Sequence, residues 1–249
     1  KANRMGELSV GSVLSRLGYR AQFIYGGDSY FDNMGDFFSH NGYEVIDRKD
    51  IPDSQVTFAN IWGVCDEDIF HKSLSVFDAD AKQGKPFFAQ IMTTSNHRPY
   101  TYPAGRIKVD GDPNTREDAV KYTDYAIGRF IAEAKRKVWF RNTVFIVIAD
   151  HCASSAGKTS LPIDRYHIPC LVYAPGIVRP GKVGKLCSQI DLMPTVLSLL
   201  HLQSRVSFAG QDVFSPSYHP RAFMATYQDL GYLEGSRLTV LSPVRNIRQ

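Results

Sequence analysis

The sequence predicts an α/β domain, a mainly parallel central sheet with helices on both faces, and three observations lead there. Two apolar runs of strand length, Pro86 to Thr93 and Thr143 to Ala149, each end in a polar loop. Segments with apolar residues at helical spacing alternate with short β-rich segments, the rhythm of strands joined by crossover helices. The run Asn142-Thr-Val-Phe-Ile-Val-Ile-Ala-Asp150-His151 is too short to cross a membrane and rich in β-branched and aromatic residues. That composition fits a strand buried on both faces inside a parallel sheet.

Each element has its own signal. Val10, Val13, Leu14 and Leu17 fall at helical spacing before Gly18, a stop signal. Ala21 to Tyr25 reads as a strand entering Gly26-Gly27-Asp28-Ser29, followed by a helix from about Asp32 to His40 and a short strand from Tyr43 to Ile46. Cys65-Asp-Glu-Asp68 opens a helix to about Lys82, with acids where the helix dipole favours them and Ile69, Phe70, Leu74 and Phe77 facing inward. After the strand at 86–93, residues 101–115 are rich in Pro, Gly and Asp and form a surface excursion. Arg116 to Lys137 is the longest helix, its core face carrying Ala119, Tyr122, Ala126, Phe130 and Ala134. Ile168 to Ala174 is a further strand, and Asp191 to Leu200 is a helix that tolerates Pro194 in its first turn. From Ala222 onward, short strands around Glu234-Gly235 suggest a C-terminal antiparallel hairpin.

Composition narrows the function. The net charge of +4 is mild and its basic residues are scattered, so nothing calls for nucleic acid. No stretch approaches the roughly 20 apolar residues of a membrane helix. Cys65, Cys152, Cys170 and Cys187 contain no C-x-x-C pair, which argues against a structural zinc site or redox motif. Cys170, in an apparent buried strand, reads as a small hydrophobe.

Chemistry concentrates at strand ends, because ligands of open α/β sheets bind beyond the carboxyl ends of the strands. Asp150-His151 offers an oxygen and a nitrogen to a divalent cation, or else is an Asp capping a turn beside a surface His. The loop carrying His97 and Arg98 would converge on it if the two strands are neighbours, with the loop from Gly26 to Asn33 as a third wall. Such a cleft suits an anionic phosphate or sulfate. His167 precedes its strand, so a parallel strand puts it at the far end and an antiparallel strand on the cleft side. His40, His71, His201 and His219 read as solvated. Ser154 and Ser155 lie near His151, but no G-x-S-x-G elbow accompanies them.

Several motifs together resemble the sulfatase/alkaline-phosphatase superfamily, in particular its lipoteichoic-acid-synthase-like phosphoglycerol transferase branch. They are Phe23-Ile-Tyr-Gly-Gly-Asp-Ser-Tyr-Phe-Asp-Asn-Met34, Trp62-Gly-Val-Cys-Asp66, Thr93-Thr-Ser-Asn-His-Arg-Pro-Tyr100, Val147-Ile-Ala-Asp-His151, Tyr173-Ala-Pro-Gly176 and Gln189-Ile-Asp-Leu-Met-Pro-Thr195. The resemblance implies an alkaline-phosphatase-like fold, with residues 1–214 an incomplete sulfatase-like catalytic domain and 215–249 a β-hairpin extension of it. It implies a divalent metal (Mn2+, alternatively Mg2+ or Zn2+) on Asp150 and His151, and His97 as the histidine at the substrate phosphate or leaving group. Asn33, Arg98, Ser155 and His167 are the candidate substrate contacts; Phe31 and Asn33 stand where the family has Trp and Arg.

The same resemblance implies transfer of phosphoglycerol or a related head group through a covalent intermediate, from a phospholipid or glycerophosphate-type donor to a glycan or polymer acceptor. The nucleophilic Thr and a metal-binding Glu are expected upstream of this chain, which opens at Lys1, in a parent anchored by N-terminal membrane helices on the extracytoplasmic side. This chain alone is then expected to be inactive. The alternatives are a sulfatase, a phosphodiester hydrolase, or a catalytically dead binding module.

Overall fold

The computed structural model describes residues 9–153, 161–202, 208–244 and 246–248, and divides into two compact units, Lys1–Phe140 and Arg141–Gln249. In the first unit, α1 (Val10–Arg16) is opened by a Ser9–Ser12 capping box. Then come β1 (Arg20–Tyr25), α2 (Met34–His40), β2 (Glu44–Ile46), the two-residue strands β3 (Ala59–Asn60) and β4 (Gly63–Val64), α3 (Asp66–Lys82), β5 (Phe87–Met92) and α4 (Arg116–Ala134).

The sheet is parallel, in the order β2-β1-β5, with Gln22 opposite Glu44 and Ala89. Side chains alternate along β1 and so feed two separate layers. Ala21, Phe23 and Tyr25 join Tyr43 with Met34 and Phe38, where the Phe38 ring stacks on Phe23 at 3.8 Å. From the opposite face Gln22 donates to Asp80 of α3 at 2.8 Å, while Phe77 of α3 stacks on Phe87 at 4.5 Å. Helices therefore cover both faces, as expected. The core face of α4 is the predicted one: Ala119, Tyr122, Ala126, Phe130 and Ala134 are all buried. Residues 101–115 hold no helix or strand, and Arg106 ties them to Glu67 at 2.9 Å.

The acids at the start of α3 do more than meet a dipole. Asp68 is buried and accepts from the Thr57 amide (2.8 Å) and hydroxyl (2.7 Å), latching the segment that leads into β3. Asp66 is wholly buried and reaches the other way, to the loop after β5.

The second unit contains β6 (Phe145–Ile148), α5 (Ile163–Tyr166), β7 (Cys170–Tyr173), α6 (Leu192–Leu199), β8 (Ala222–Ala225), β9 (Leu230–Glu234), β10 (Arg237–Ser242) and β11 (Asn246–Arg248). Both apolar runs are strands as expected, but among the described residues β6 pairs only with β7, antiparallel, with Ile148 opposite Cys170. Phe145 is buried, Ile146 to Ile148 are half-buried, and all four residues of β7 are exposed. An apolar run encodes a strand without naming its partner or direction. Cys170 is accordingly exposed rather than a buried hydrophobe.

The C-terminal region is a four-stranded antiparallel sheet, β11-β10-β9-β8, in which the expected hairpin is the β9–β10 pair. Its core joins Leu161, Met224 and Leu233. His219, expected to be solvated and alone, pairs through Nε2 with Glu234.

Candidate functional site

In the first unit, β1 and β5 run parallel, so their carboxyl ends and following loops share one edge of the sheet. The β1 loop is built from close backbone contacts. A Cβ on Gly27 would lie 2.2 Å from the Trp62 carbonyl, and one on Gly63, whose φ is +133°, would lie 2.3 Å from the Gly26 carbonyl. Only glycine allows the β3–β4 turn to rest on the strand end in this way. The Gly26 carbonyl accepts from the Val64 amide (3.0 Å) and that of Gly27 from the Arg48 amide (3.0 Å), so both work as backbone partners.

Asp47, at the end of β2, fixes the next stretch by accepting from the Ser29 hydroxyl at 2.6 Å. Burial alone would push the Asp47 carboxyl up; the hydrogen bonds from Ser29 and the Lys49 amide outweigh it and hold it below the usual carboxylate range. Asp32 and Asn33 then sit at positive φ (48° and 61°), a conformation these two residue types tolerate best after glycine. Asn33 donates through Nδ2 to Asp36 at 3.2 Å, so its amide serves the start of α2, with the residue as a whole exposed.

The loop after β5 is held from beneath. One carboxylate oxygen of Asp66 accepts from the Thr94 and Ser95 amides, each at 3.0 Å, and the other accepts from the Thr123 hydroxyl at 2.8 Å. Ser95 Oγ in turn accepts from the Asp66 amide at 3.1 Å. Above this clamp His97, Arg98 and Pro99 are exposed, and the Arg98-Pro99 peptide is cis. The imidazole of His97 lies against Trp62, centroids 4.2 Å apart, and Trp62 meets the Phe31 ring edge-on at 5.3 Å. Two of the three predicted loops therefore meet, through Trp62. The Arg98 guanidinium has no hydrogen-bond or ionic partner among the described residues, and its exposure leaves it free for an anion.

In the second unit, β6 delivers Asp150 and His151 to solvent, both side chains about seven-tenths exposed. Asp150 Oδ1 accepts from the His151 amide at 2.8 Å, and Oδ2 lies 3.5 Å from His151 Nε2. His151 Nδ1 is 2.8 Å from the Cys152 carbonyl, which can only accept, so Nδ1 carries a proton and in the neutral ring the lone pair is on Nε2. Oxygen and nitrogen ligands each about 2.1 Å from a tetrahedral divalent ion are separated by about 3.4 Å. The pair fits a metal in donor type, spacing and tautomer. It is a partial ligand set: no group of three or more His, Cys, Asp or Glu suited to a metal occurs among the described residues.

His97 thus stands in the first unit and Asp150-His151 in the second, at the ends of strands from different sheets. The antiparallel register of β7 settles the question left open for His167: it lies at the Asp150 end of the ladder, exposed, just after α5. Ser155, with Ser154 and Lys158, lies outside the described residues.

Gln189, within a motif but given no role by sequence reasoning, donates through Nε2 to the Ala149 (3.0 Å) and Asp150 (2.8 Å) carbonyls, strapping the strand end. The turn carrying it is anchored by Asp191, whose buried carboxylate takes both Arg221 nitrogens at 2.6 and 2.7 Å, the Ser188 and Gln211 amides, and the Tyr218 hydroxyl at 3.1 Å. Burial pushes the Tyr218 phenol up to about 12, helped by the Asp191 charge, so it remains a donor. No pattern in one sequence pairs a Gln with carbonyls 40 residues away.

A parallel sheet covered by helices on both faces, with a C-terminal antiparallel sheet, is the fold of the alkaline-phosphatase-like class. The chain belongs to the Sulfatase family, whose model matches residues 3–202. It is similar to phosphoglycerol transferase I of Xanthomonas campestris pv. campestris, 24% identical over 235 residues, 89% of this chain and 33% of that protein. Phosphoglycerol transferase I of Salmonella arizonae is 27% identical over 154 residues, 59% of this chain and 20% of that protein. The chain thus spans a third or less of these relatives' length.

Among solved structures, an alkaline-phosphatase-superfamily protein from Vibrio parahaemolyticus is 38% identical, with a TM-score of 0.93 over 99% of this chain and 61% of its own. The lipoteichoic acid synthase LtaP of Listeria monocytogenes, 21% identical, shares the fold with a TM-score of 0.75 over 97% of this chain and 67% of its own.

Proposed function

We propose that this chain serves a metal-dependent bacterial envelope enzyme that transfers phosphoglycerol, or a related phospho-head group, through a covalent intermediate. Residues 1–214 would contribute to the catalytic domain and 215–249 extend it. The observation that carries this reading is the Asp150–His151 pair, 3.5 Å between Oδ2 and Nε2 with Nδ1 already committed to a carbonyl, within a chain of this family. Asp150 and His151 would hold a divalent ion, Mn2+ first, with Mg2+ or Zn2+ as alternatives. When bound, such an ion activates a nucleophile and neutralises charge on the transferred phosphoryl group.

His97 faces solvent beside the exposed Arg98, and the two would serve the phosphate and the departing oxygen. As the nucleophile expected upstream would form its bond to phosphorus, the phosphorus–oxygen bond to the leaving group breaks, and its electron pair stays on the leaving oxygen, which takes a proton from imidazolium Nε2 and leaves a neutral ring. Asn33, His167 and Ser155 are the proposed contacts to the head group. The donor would be a phospholipid or glycerophosphate and the acceptor a glycan or polymer, on the extracytoplasmic face of a membrane. No helix among the described residues is long and apolar enough to cross that membrane, and this chain by itself is proposed to be inactive.

The test is head-group release from phosphatidylglycerol vesicles by the whole protein, with Mn2+ or with EDTA. Turnover that needs the metal and disappears in Asp150→Ala supports the proposal. Turnover indifferent to both overturns it. Metal-dependent cleavage of an aryl sulfate alone would establish a sulfatase, and an intact fold that binds Mn2+ no better than Asp150→Ala/His151→Ala would leave a binding module.

A further inference from the structure

The Trp62 side chain has no part in the function proposed above, yet it touches both the loop that carries His97 and the loop that carries Phe31. It sits in the β3–β4 turn, where its amide donates to Asn60 Oδ1 at 2.8 Å and Asn60 Nδ2 donates to Thr101 Oγ1 at 3.1 Å. The indole is thereby pinned at its base. Its ring receives Phe31 edge-on on one side and His97, tilted by 55°, on another. Its Nε1–H donates to the Arg98 carbonyl, and His97 Nδ1 lies 2.9 Å from that same oxygen.

A carbonyl oxygen has two lone pairs and no proton to give. With indole on one and imidazole on the other, the Arg98 carbonyl is saturated, and His97 Nδ1 must be the protonated nitrogen. Nε2 is then the atom left to act, as acceptor in the neutral ring and as proton donor in the imidazolium.

We propose that Trp62 is a positioning residue for His97: its ring sets the plane of the imidazole, and its N–H fixes the carbonyl that selects the Nδ1–H tautomer and aims Nε2 outward. The catalytic consequence rests on the reading of His97 given above; the positioning itself does not. Phe31 packs against the same indole, at 5.3 Å between ring centroids.

The experiment uses the chain labelled with 15N-histidine, as wild type, Trp62→Phe and Trp62→Ala, with amide spectra confirming the fold. In the neutral ring, wild-type His97 should show one protonated nitrogen, Nδ1, and one unprotonated, Nε2. Trp62→Phe, which keeps a ring but loses the N–H, should shift His97 toward a mixture of tautomers, and Trp62→Ala further still. A folded Trp62→Phe with the wild-type tautomer overturns the proposal, and its smaller change of shape keeps the test available should Trp62→Ala not fold.

In the whole protein, Trp62→Phe should lower kcat by about tenfold or more with KM little changed, set against the roughly 10²–10⁴ that a positioned acid contributes. A shifted tautomer with unchanged kcat would support the positioning and overturn the catalytic role of His97.

Discussion

Asp66 is the residue whose loss the structure prices most directly. Its side chain is wholly buried, and three donors converge on it: the Thr94 and Ser95 amides on one oxygen and the Thr123 hydroxyl on the other. In Asp66→Ala the hydroxyl can rotate to another acceptor, whereas the two amides are left in place without one. Each stranded donor costs about 1–3 kcal/mol, and bonds to a charged acceptor lie at the upper end, so the variant should lose about 3–5 kcal/mol. That is a large share of the ~5–15 kcal/mol that holds a typical domain. Asp66→Asn keeps an oxygen for both amides and turns an NH2 toward Thr123, whose hydroxyl can accept. Its cost should be about 1–2 kcal/mol. Urea unfolding of the three proteins gives the differences from the midpoints and slopes. An Asp66→Ala within about 1 kcal/mol of wild type, or an Asn variant as damaged as the Ala one, would refute this account of the clamp.

Further outcomes follow in the second unit. Asp191 is held below the ordinary carboxylate range, because although burial alone would push it up, Arg221 and two backbone amides outweigh that. A depressed folded value gives stability that is complete above about 3.9 and is lost as pH falls through the lower folded value. Urea midpoints followed from about pH 6 to about pH 2 should fall at the acid end. Arg221→Met should flatten that acid slope and cost about 3–5 kcal/mol at neutral pH, since it leaves a buried carboxylate unpaired. An unchanged slope would show that the pair is not what titrates. Gln189→Leu should weaken Mn2+ binding to the whole protein by about tenfold or more, as loss of a supporting contact commonly does, with little change in Tm. Equal Mn2+ affinity by calorimetry would reduce Gln189 to a strap without functional consequence.

The fold was legible where burial dictates pattern. Ile69, Phe70, Leu74 and Phe77, and the five-residue face of α4, announced themselves by spacing because each turns its helix toward an apolar layer. Phe87 to Met92 and Arg20 to Tyr25 were visible as strands for the same reason. Direction was not visible: the run ending at Ile148 and the run starting at Cys170 look alike whichever way they pair. Among the candidate site residues, Asp150, His151 and His97 were proposed from strand ends and resemblance. The residues that hold them could not. Gln189, Asp66 and Trp62 work through backbone atoms distant in sequence, and a backbone carbonyl or amide leaves no letter in the sequence to be matched.

The Arg221–Asp191 contact also bears on where this chain can be cut. A boundary drawn after residue 214 looks natural, since the antiparallel strands beyond it read as an appendage. Yet that cut removes Arg221 and Tyr218 together, stripping a buried carboxylate of its counter-ion and of one hydroxyl donor. The turn from Ser188 to Leu192 would then have to open to water, and Gln189 would leave with it, releasing the Ala149 and Asp150 carbonyls. A truncation more than 60 residues downstream of the Asp-His pair would therefore register at the pair itself, and the C-terminal sheet is better regarded as the far end of its support than as an ornament.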